Sequence, residues 1–519
     1  MRTALHLLLA CTTLAFAPCA GIAAAPADLV GGSPTGPWRR LFLDAMVVER
    51  QTGLDRVFHA AEKHSANPVL KADKPWEGNG YGTAVHGGTV LVDGGKLRMW
   101  YIGGHSARGV GYRVCYAESH DGVTWTKPAL GVVAFRGSKD NNIVLDDHDM
   151  DPARKLVGYT TFVSVIKSQQ QKDPARRYAL YCYYHCVELT AKGRFGKFVR
   201  LAPRVAFSPD GLRWTFLPDE TGKGLFASSD VVQFYRDPYQ NRYYATWKAS
   251  SRRGRAAGVA FSPDGLKWTK PVQGPVFVAD DLDPDDTQIY GLSAFAYQGL
   301  YIGLPWIYHA RWFKYGSYTD RRMYEVEQDS PCTMDAQLAW SWNLVNWTRT
   351  PDRTPFIALG REGEFDAGMA IPAKEPVQVG DRLYFYYGGF PGRHNEGHKL
   401  KQAATGLATL RLDGFCSMRA GAAEGHLVTR RESFRLPRLT INARVAPGGH
   451  VAAELLDAEN RVIPGFGRGD CVGFSGDSVR QVLTWKCAEL PPAQRTTDKK
   501  IRFFLKNADL FSYLPDPTP

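Results

Sequence analysis

Acidic and amide side chains stand ahead of one short apolar strand after another along this chain. They are Glu77 in Pro75-Trp76-Glu77, then Asp140 with Asn142, Asp230, Asp286, and Glu364 with Asp366. Two carboxyls a few ångströms apart, one protonated and one ionised, are the equipment for acid–base cleavage of a glycosidic bond. Trp76, Tyr81, Tyr290 and Trp306 add flat apolar faces near the same positions, and His309 and His394 add hydrogen-bonding rings. Asp and Asn also cap loop ends on their own account, so each has an ordinary reading as a turn residue. Their recurrence at one place in a repeat is what points to a shared rim.

The elements that would position them are marked by a phrase written four times. It runs Ser119-His120-Asp121-Gly122-Val123-Thr124-Trp125, then Ser208 to Trp214, Ser262 to Trp268, and a weaker Ser341 to Trp347. Each follows a short apolar run such as Val205-Ala206-Phe207. Asp-Gly supplies the positive φ that a tight turn between strands needs, and the Trp three residues beyond can fold back on a neighbouring sheet. The phrase is therefore structural punctuation.

Around it lies a longer repeat: a strand, a turn, an aromatic-rich strand, the apolar run and the phrase. Gly88 to Val92, Asn142 to Leu145, Val231 to Tyr235, Ala294 to Tyr297 and Val377 to Val379 open five such units. Five units of about four strands predict an all-β fold, a five-bladed β-propeller over residues 26–413. Beyond Asp413 the strands are separated by Gly- and Pro-rich turns, which predicts a β-sandwich accessory domain over 414–519.

Composition sets the outer bounds. The 519 residues are 44% hydrophobic with 52 Gly and 32 Pro, enough for a large β core with many turns. Met1-Arg2, an apolar run to Ala17 and small residues before Pro26 read as a secretory signal peptide over 1–25, and so predict a secreted or periplasmic protein without a membrane span. Seven cysteines follow that segment; the odd number excludes a fully paired disulfide scaffold, although Cys471 and Cys487 could pair. Cys182-Tyr183-Tyr184-His185-Cys186 has the look of a metal box, but in a strand His185 faces away from both cysteines, so neither metal nor cofactor is expected. The net charge of +12 is scattered, without the basic helix or tail of a nucleic-acid binder; it would concentrate an anionic polysaccharide.

Five units, the Ser-x-Asp-Gly-x-x-Trp hairpins and a C-terminal β domain together resemble the five-bladed propeller glycoside hydrolases, of which families 32 and 43 are the best known. The resemblance implies carboxylates gathered at a central funnel from the starts of the innermost strands. On it, Glu77 is the expected nucleophile or base, Asp230 the acid or stabiliser and Glu364 the acid. Asp140, Asn142, Asp286, Asp366, His309, His394, Trp76 and Tyr290 are the expected contacts to a carbohydrate. Family 32's opening motif and its Glu-Cys pair are missing here, so a carbohydrate-binding propeller without chemistry is the rival reading. A sialidase-like enzyme would use a Tyr-Glu pair such as Tyr324-Glu325. Arg236-Asp237-Pro238 spells family 32's Arg-Asp-Pro tripeptide, but its Asp should lie in the turn after Val231 to Tyr235, at the solvent-facing end of the strand opposite Asp230.

Overall fold

The computed structural model describes residues 31–78, 88–104, 112–146, 156–168, 172–191, 195–219, 222–311, 330–396, 402–435, 437–487 and 489–515. Over these the protein is all-β, with helix confined to short 3₁₀ turns such as Pro174–Arg176. No helix among the described residues is long and apolar enough to cross a membrane.

The repeats fold into antiparallel meanders. The first sheet is Thr89–Asp93, Lys96–Gly103, Arg113–Ser119 and Ile143–Leu145; the second is Leu156–Lys167, Tyr178–Leu189, Phe195–Ser208 and Thr215–Phe216. The third is Val232–Asp237, Arg242–Ser251 and Gly254–Ser262. The fourth and fifth meanders open with Thr287–Tyr297 and Leu300–His309, and with Met369–Pro372 and Arg382–Phe390. They share an 11-stranded sheet and meet at a single parallel bridge, Met334 to Met369. Asn142 to Leu145 thus does not open the second repeat. Leu145 pairs with Val114, which makes this segment the outer strand of the first sheet.

The first strands touch one another in order. Thr89 Oγ1 donates to Val163 O and accepts from Val165 N, and Ser164 Oγ accepts from Phe234 N. Tyr235 Oη accepts from Ala294 N, Ser293 Oγ donates to Pro372 O, and Lys374 N donates to Gly88 O. The series returns to the sheet where it began.

In the first three units the repeated phrase ties its sheet to the one before it. Ser119 Oγ accepts from Gly122 N, and Asp121 Oδ1 accepts from Val123 N and Thr124 N. Gly122, Gly211 and Gly265 all sit near φ +78°, where a side chain would be strained. Gly122 O accepts from Tyr386 Oη of the fifth meander, and Gly211 O accepts from Trp100 Nε1 of the first sheet. A Cβ on Gly265 would stand 2.3 Å from Tyr181 Oη of the second sheet.

The N-terminal residues cross a boundary that the sequence was expected to draw elsewhere. Glu62–Lys63 pairs with Ala404–Arg411 and completes the fifth meander. Arg40–Leu41, Val48–Thr52 and Asp55–Phe58, by contrast, join the C-terminal strands in one 10-stranded sheet. Arg40 fixes this arrangement through a buried 2.6 Å ion pair with Glu432. The long strands Leu439–Leu456 and Asp498–Pro515 run through that sheet with a register break between Val445 and His450, the kind of irregularity that bends a strand pair. All cysteines from Cys115 to Cys487 are free thiols, Cys471 included.

Candidate functional site

The acids ahead of the first strands separate into distinct environments. Glu77 is fully buried. Its carboxylate accepts from Tyr101 Oη at 2.5 Å, from Asp73 N and Lys74 N at 3.0 Å each, and pairs with Lys127 Nζ at 2.7 Å. Asn142 belongs to the same knot: it accepts from Trp76 Nε1 and donates to Tyr101 Oη. Asp366, 1% exposed, is held by Lys63 Nζ at 2.6 Å and by Tyr387 Oη at 2.8 Å. Both acids, expected as nucleophile and as sugar contact, are thus buried and held by neighbouring side chains. Trp306 is also buried, and its Nε1 bonds Ser293 Oγ.

One device explains this sealing. The repeated phrase continues as Trp125-Thr126-Lys127 in the first unit and Trp347-Thr348-Arg349 in the fourth. In both, the cation reaches back to an acid ahead of its own sheet's first strand: Lys127 to Glu77, and Arg349 to Asp283 in a bidentate buried pair at 2.5 and 2.7 Å. Lys63, on the strand that completes the fifth meander, does the same to Asp366. The signal in the sequence is the cation two residues beyond the phrase's Trp.

Asp230 has another setting. It precedes Val232–Asp237, its side chain is 42% exposed, and it pairs with Lys248 Nζ at 2.5 Å while accepting from Ser229 Oγ. Burial would raise its pKa, but the Lys248 ammonium outweighs that and draws it down to about 2. Lys248 sits 4.6 Å from the centre of the Tyr290 ring, and His394 Nε2 meets Tyr290 Oη at 3.0 Å. Arg255 lies 5.1 Å from the Tyr290 and Tyr308 rings. His185, beside Asp230, stacks on Tyr159 at 4.3 Å and is pushed by burial down to about 4. The structure therefore brings together Asp230, Tyr290 and His394, and adds Lys248, Arg255, His185 and Tyr159, which sequence reasoning missed because nothing in their spacing sets them apart.

The remaining candidates lie apart from this group. His309 Nε2 meets Asp335 Oδ2 at 2.7 Å, and strand alternation sends it to the face opposite Tyr308. Asp286, half-buried, accepts at its backbone oxygen from Ala310 N. Glu364 is exposed and accepts at Oε2 from Arg361 N, closing its own turn, and Asp140 is exposed. Tyr81 and the pair Tyr324-Glu325 lie outside the described residues. Asp237 ends the strand Val232–Asp237, opposite Arg242, instead of lying in the turn, and it is buried there, paired with Arg242 at 3.1 Å and accepting from Tyr301 Oη; the solvent-facing turn position expected for it is corrected.

No family model and no curated protein matches the sequence. Solved structures similar in overall form include a glycosyl hydrolase from Bacteroides ovatus, at 15% identity over 68% of this chain and 94% of that one, with a TM-score of 0.44. Another comes from work on GH130 mannoside phosphorylases and the glycoside hydrolases among them that target β-1,2 mannosidic linkages in Candida mannan; it is 15% identical over 68% and 94% of the two chains, with a TM-score of 0.42. A third is an N-acetylgalactosamine deacetylase from F. plautii in complex with blood group B trisaccharide, at 13% identity over 70% and 97%, with a TM-score of 0.44. Likeness at this distance transfers neither a substrate nor a residue's role.

Proposed function

We propose that the protein is a five-bladed β-propeller that acts as an exported glycoside hydrolase, with its site around Asp230. The propeller is supported by the closed series of contacts among the five first strands and by the docking of the first three phrases on the preceding sheet. Export rests on the signal-like first 25 residues. The observation that carries the chemistry is the group Asp230, Lys248, Tyr290 and His394: a half-open carboxylate kept ionised, beside an aromatic face and hydrogen-bonding side chains.

An ionised Asp230 serves as base, nucleophile or charge stabiliser toward the developing oxocarbenium ion, and its low pKa removes it as the proton donor. Tyr290 offers a stacking face and His394 a hydrogen bond to a hydroxyl, while the excess of 64 Lys and Arg over 52 Asp and Glu favours an anionic glycan. Glu364 keeps a solvent-facing carboxylate available. The second reading, glycan binding without cleavage, is favoured by the sealing of Glu77 and Asp366.

The test is reducing-end release from a panel of purified plant, algal and bacterial polysaccharides, neutral and acidic, by the wild type and Asp230→Asn. Release by the wild type that the variant loses supports hydrolysis. Glycan retention in affinity electrophoresis without any release establishes the binding reading instead.

A further inference from the structure

We propose that the site takes a polymeric glycan, the sugars beyond the cleaved bond lying along Tyr159, His185 and Phe198 of the second sheet. The inference rests on the glycosidase reading above and adds the length of substrate that the site requires.

The second sheet stands taller than the third where the two meet. Ser164 Oγ accepts from Phe234 N, which sets their first strands at one level. Tyr181 pairs with Ser164 and His185 with Tyr159, so four residues of the second strand separate those two levels. Asp230 is likewise four residues ahead of Phe234, which puts Tyr159 and His185 at its height. The pairing runs on to Glu188 and Leu156, three residues higher, or about 10 Å past Asp230.

The pairing also fixes which face overhangs the carboxylate. Tyr181 and Tyr183 share a core cluster with Val231 and Val232, the two residues directly after Asp230. Alternation places His185 on that same face, and its ring meets Tyr183 edge-on at 5.0 Å. Across from His185 stand Tyr159 on one neighbouring strand and Leu201 on the other. Cys186 faces Arg200 and Val187 faces Phe198, so Val199 is an extra residue, and this bulge carries Phe198 to the His185 side. The His185 ring stacks on Tyr159 at 4.3 Å and lies 6.3 Å from Phe198. The row crosses three strands, about 10 Å, which is the length of a disaccharide.

Its surface suits a sugar. Phe198 and Leu201 leave 48% and 47% of their surface open, and adjoining apolar exposure of this kind marks a contact surface. Burial pushes His185 down to about 4, so at neutral pH it offers an uncharged flat ring. A pyranose has a face of C–H bonds that such rings cover, while its hydroxyls stay in water. The occupant follows from continuity with the Asp230 group. Tyr290 comes from the fourth meander and the row from the second, and Asp230, which leads the third, lies between these two ring surfaces. A glycan cleaved at Asp230 therefore carries sugars on both sides of the broken bond.

The experiment uses the full chain and the polysaccharide it cleaves in the screen, cut into oligosaccharides of graded length. For the wild type, kcat/KM is expected to rise by about tenfold or more from disaccharide to pentasaccharide. Phe198→Ser is expected to remove most of that rise, so that its rates on long and short chains converge. Val92→Ser, at an exposed apolar residue beside the first turn of the first sheet, should keep the full rise. No rise in the wild type, or equal losses at every length in Phe198→Ser, overturns the role of the row and leaves the glycosidase reading intact. A dimer seen by sedimentation that Phe198→Ser abolishes, with the rise unchanged, makes a second copy the occupant and overturns it too. A wild type that retains long glycans in affinity electrophoresis without cleaving them, and loses that retention in Phe198→Ser, overturns the glycosidase reading but keeps the row. One that neither cleaves nor retains any glycan overturns both.

Discussion

Glu77 and Asp230 are both acids written just ahead of a first strand, and they meet opposite fates. Glu77 is clamped by Lys127 and Tyr101 and has no exposed surface. Asp230 keeps 42% of its side chain open, although it too has a lysine partner. The difference lies in where the cation comes from. In the first unit it is the residue two beyond the phrase's Trp, on the sheet's outer edge. The third unit has the matching Lys270, but that ammonium lies 3.9 Å from the Trp247 ring and bonds Ala227 O. Asp230 is spared that clamp and pairs instead with Lys248 from the second strand. The same local pattern therefore leaves a sealed strut or a half-open carboxylate according to whether the outer-edge cation is already occupied.

The comparison breaks most visibly at Asp230. Asp230→Asn is expected to lower turnover on the order of 10³-fold with a melting temperature close to wild type, because a half-open ion pair contributes little to stability. Near-normal turnover would remove the residue from the mechanism. Lys127→Met should do the reverse: it strands the Glu77 charge in the core and is expected to cost about 3–5 kcal/mol in chemical denaturation, with activity per folded molecule unchanged. Asp237→Asn loses the charge at a buried strand end and is expected to cost about 1–3 kcal/mol, again without loss of turnover; a fall in turnover would place Asp237 in the site.

The smallest effect is in acid. Because the folded-state pKa of Asp230 lies below its usual value, its share of stability is fully present above about pH 4 and is lost as the pH falls toward about 2. Asp230→Asn should flatten the acid limb of stability in that window only. An unchanged acid limb would mean that the Lys248 pair does not form in solution.

The fold was legible where local chemistry repeats. Asp-Gly turns, apolar runs and aromatic second strands located the meanders, because those features act over a few residues. Ile143–Leu145 was misplaced because a three-residue outer strand carries too little pattern to say which sheet it joins. The placement of 40–58 with the C-terminal sheet was invisible for another reason: its partners lie hundreds of residues away, and no short-range signal encodes them. Asp230, Tyr290 and His394 were named from type and position, and the structure brings them together. Lys248 and Asp335 were not, since a lysine or aspartate inside a strand becomes informative only once its neighbour across space is known.

The chain's early residues finish what its late residues begin, and this sets a clock on biosynthesis. Arg40 waits for Glu432, 392 residues later, a delay of roughly 20–80 s at ribosomal speeds of about 5–20 residues per second. For most of that interval Glu62–Lys63 also waits, because the edge it joins, Ala404–Arg411, is made near its end. The molecule closes only when nearly the whole polypeptide exists. Until then it is an open chain with its two ends unsewn.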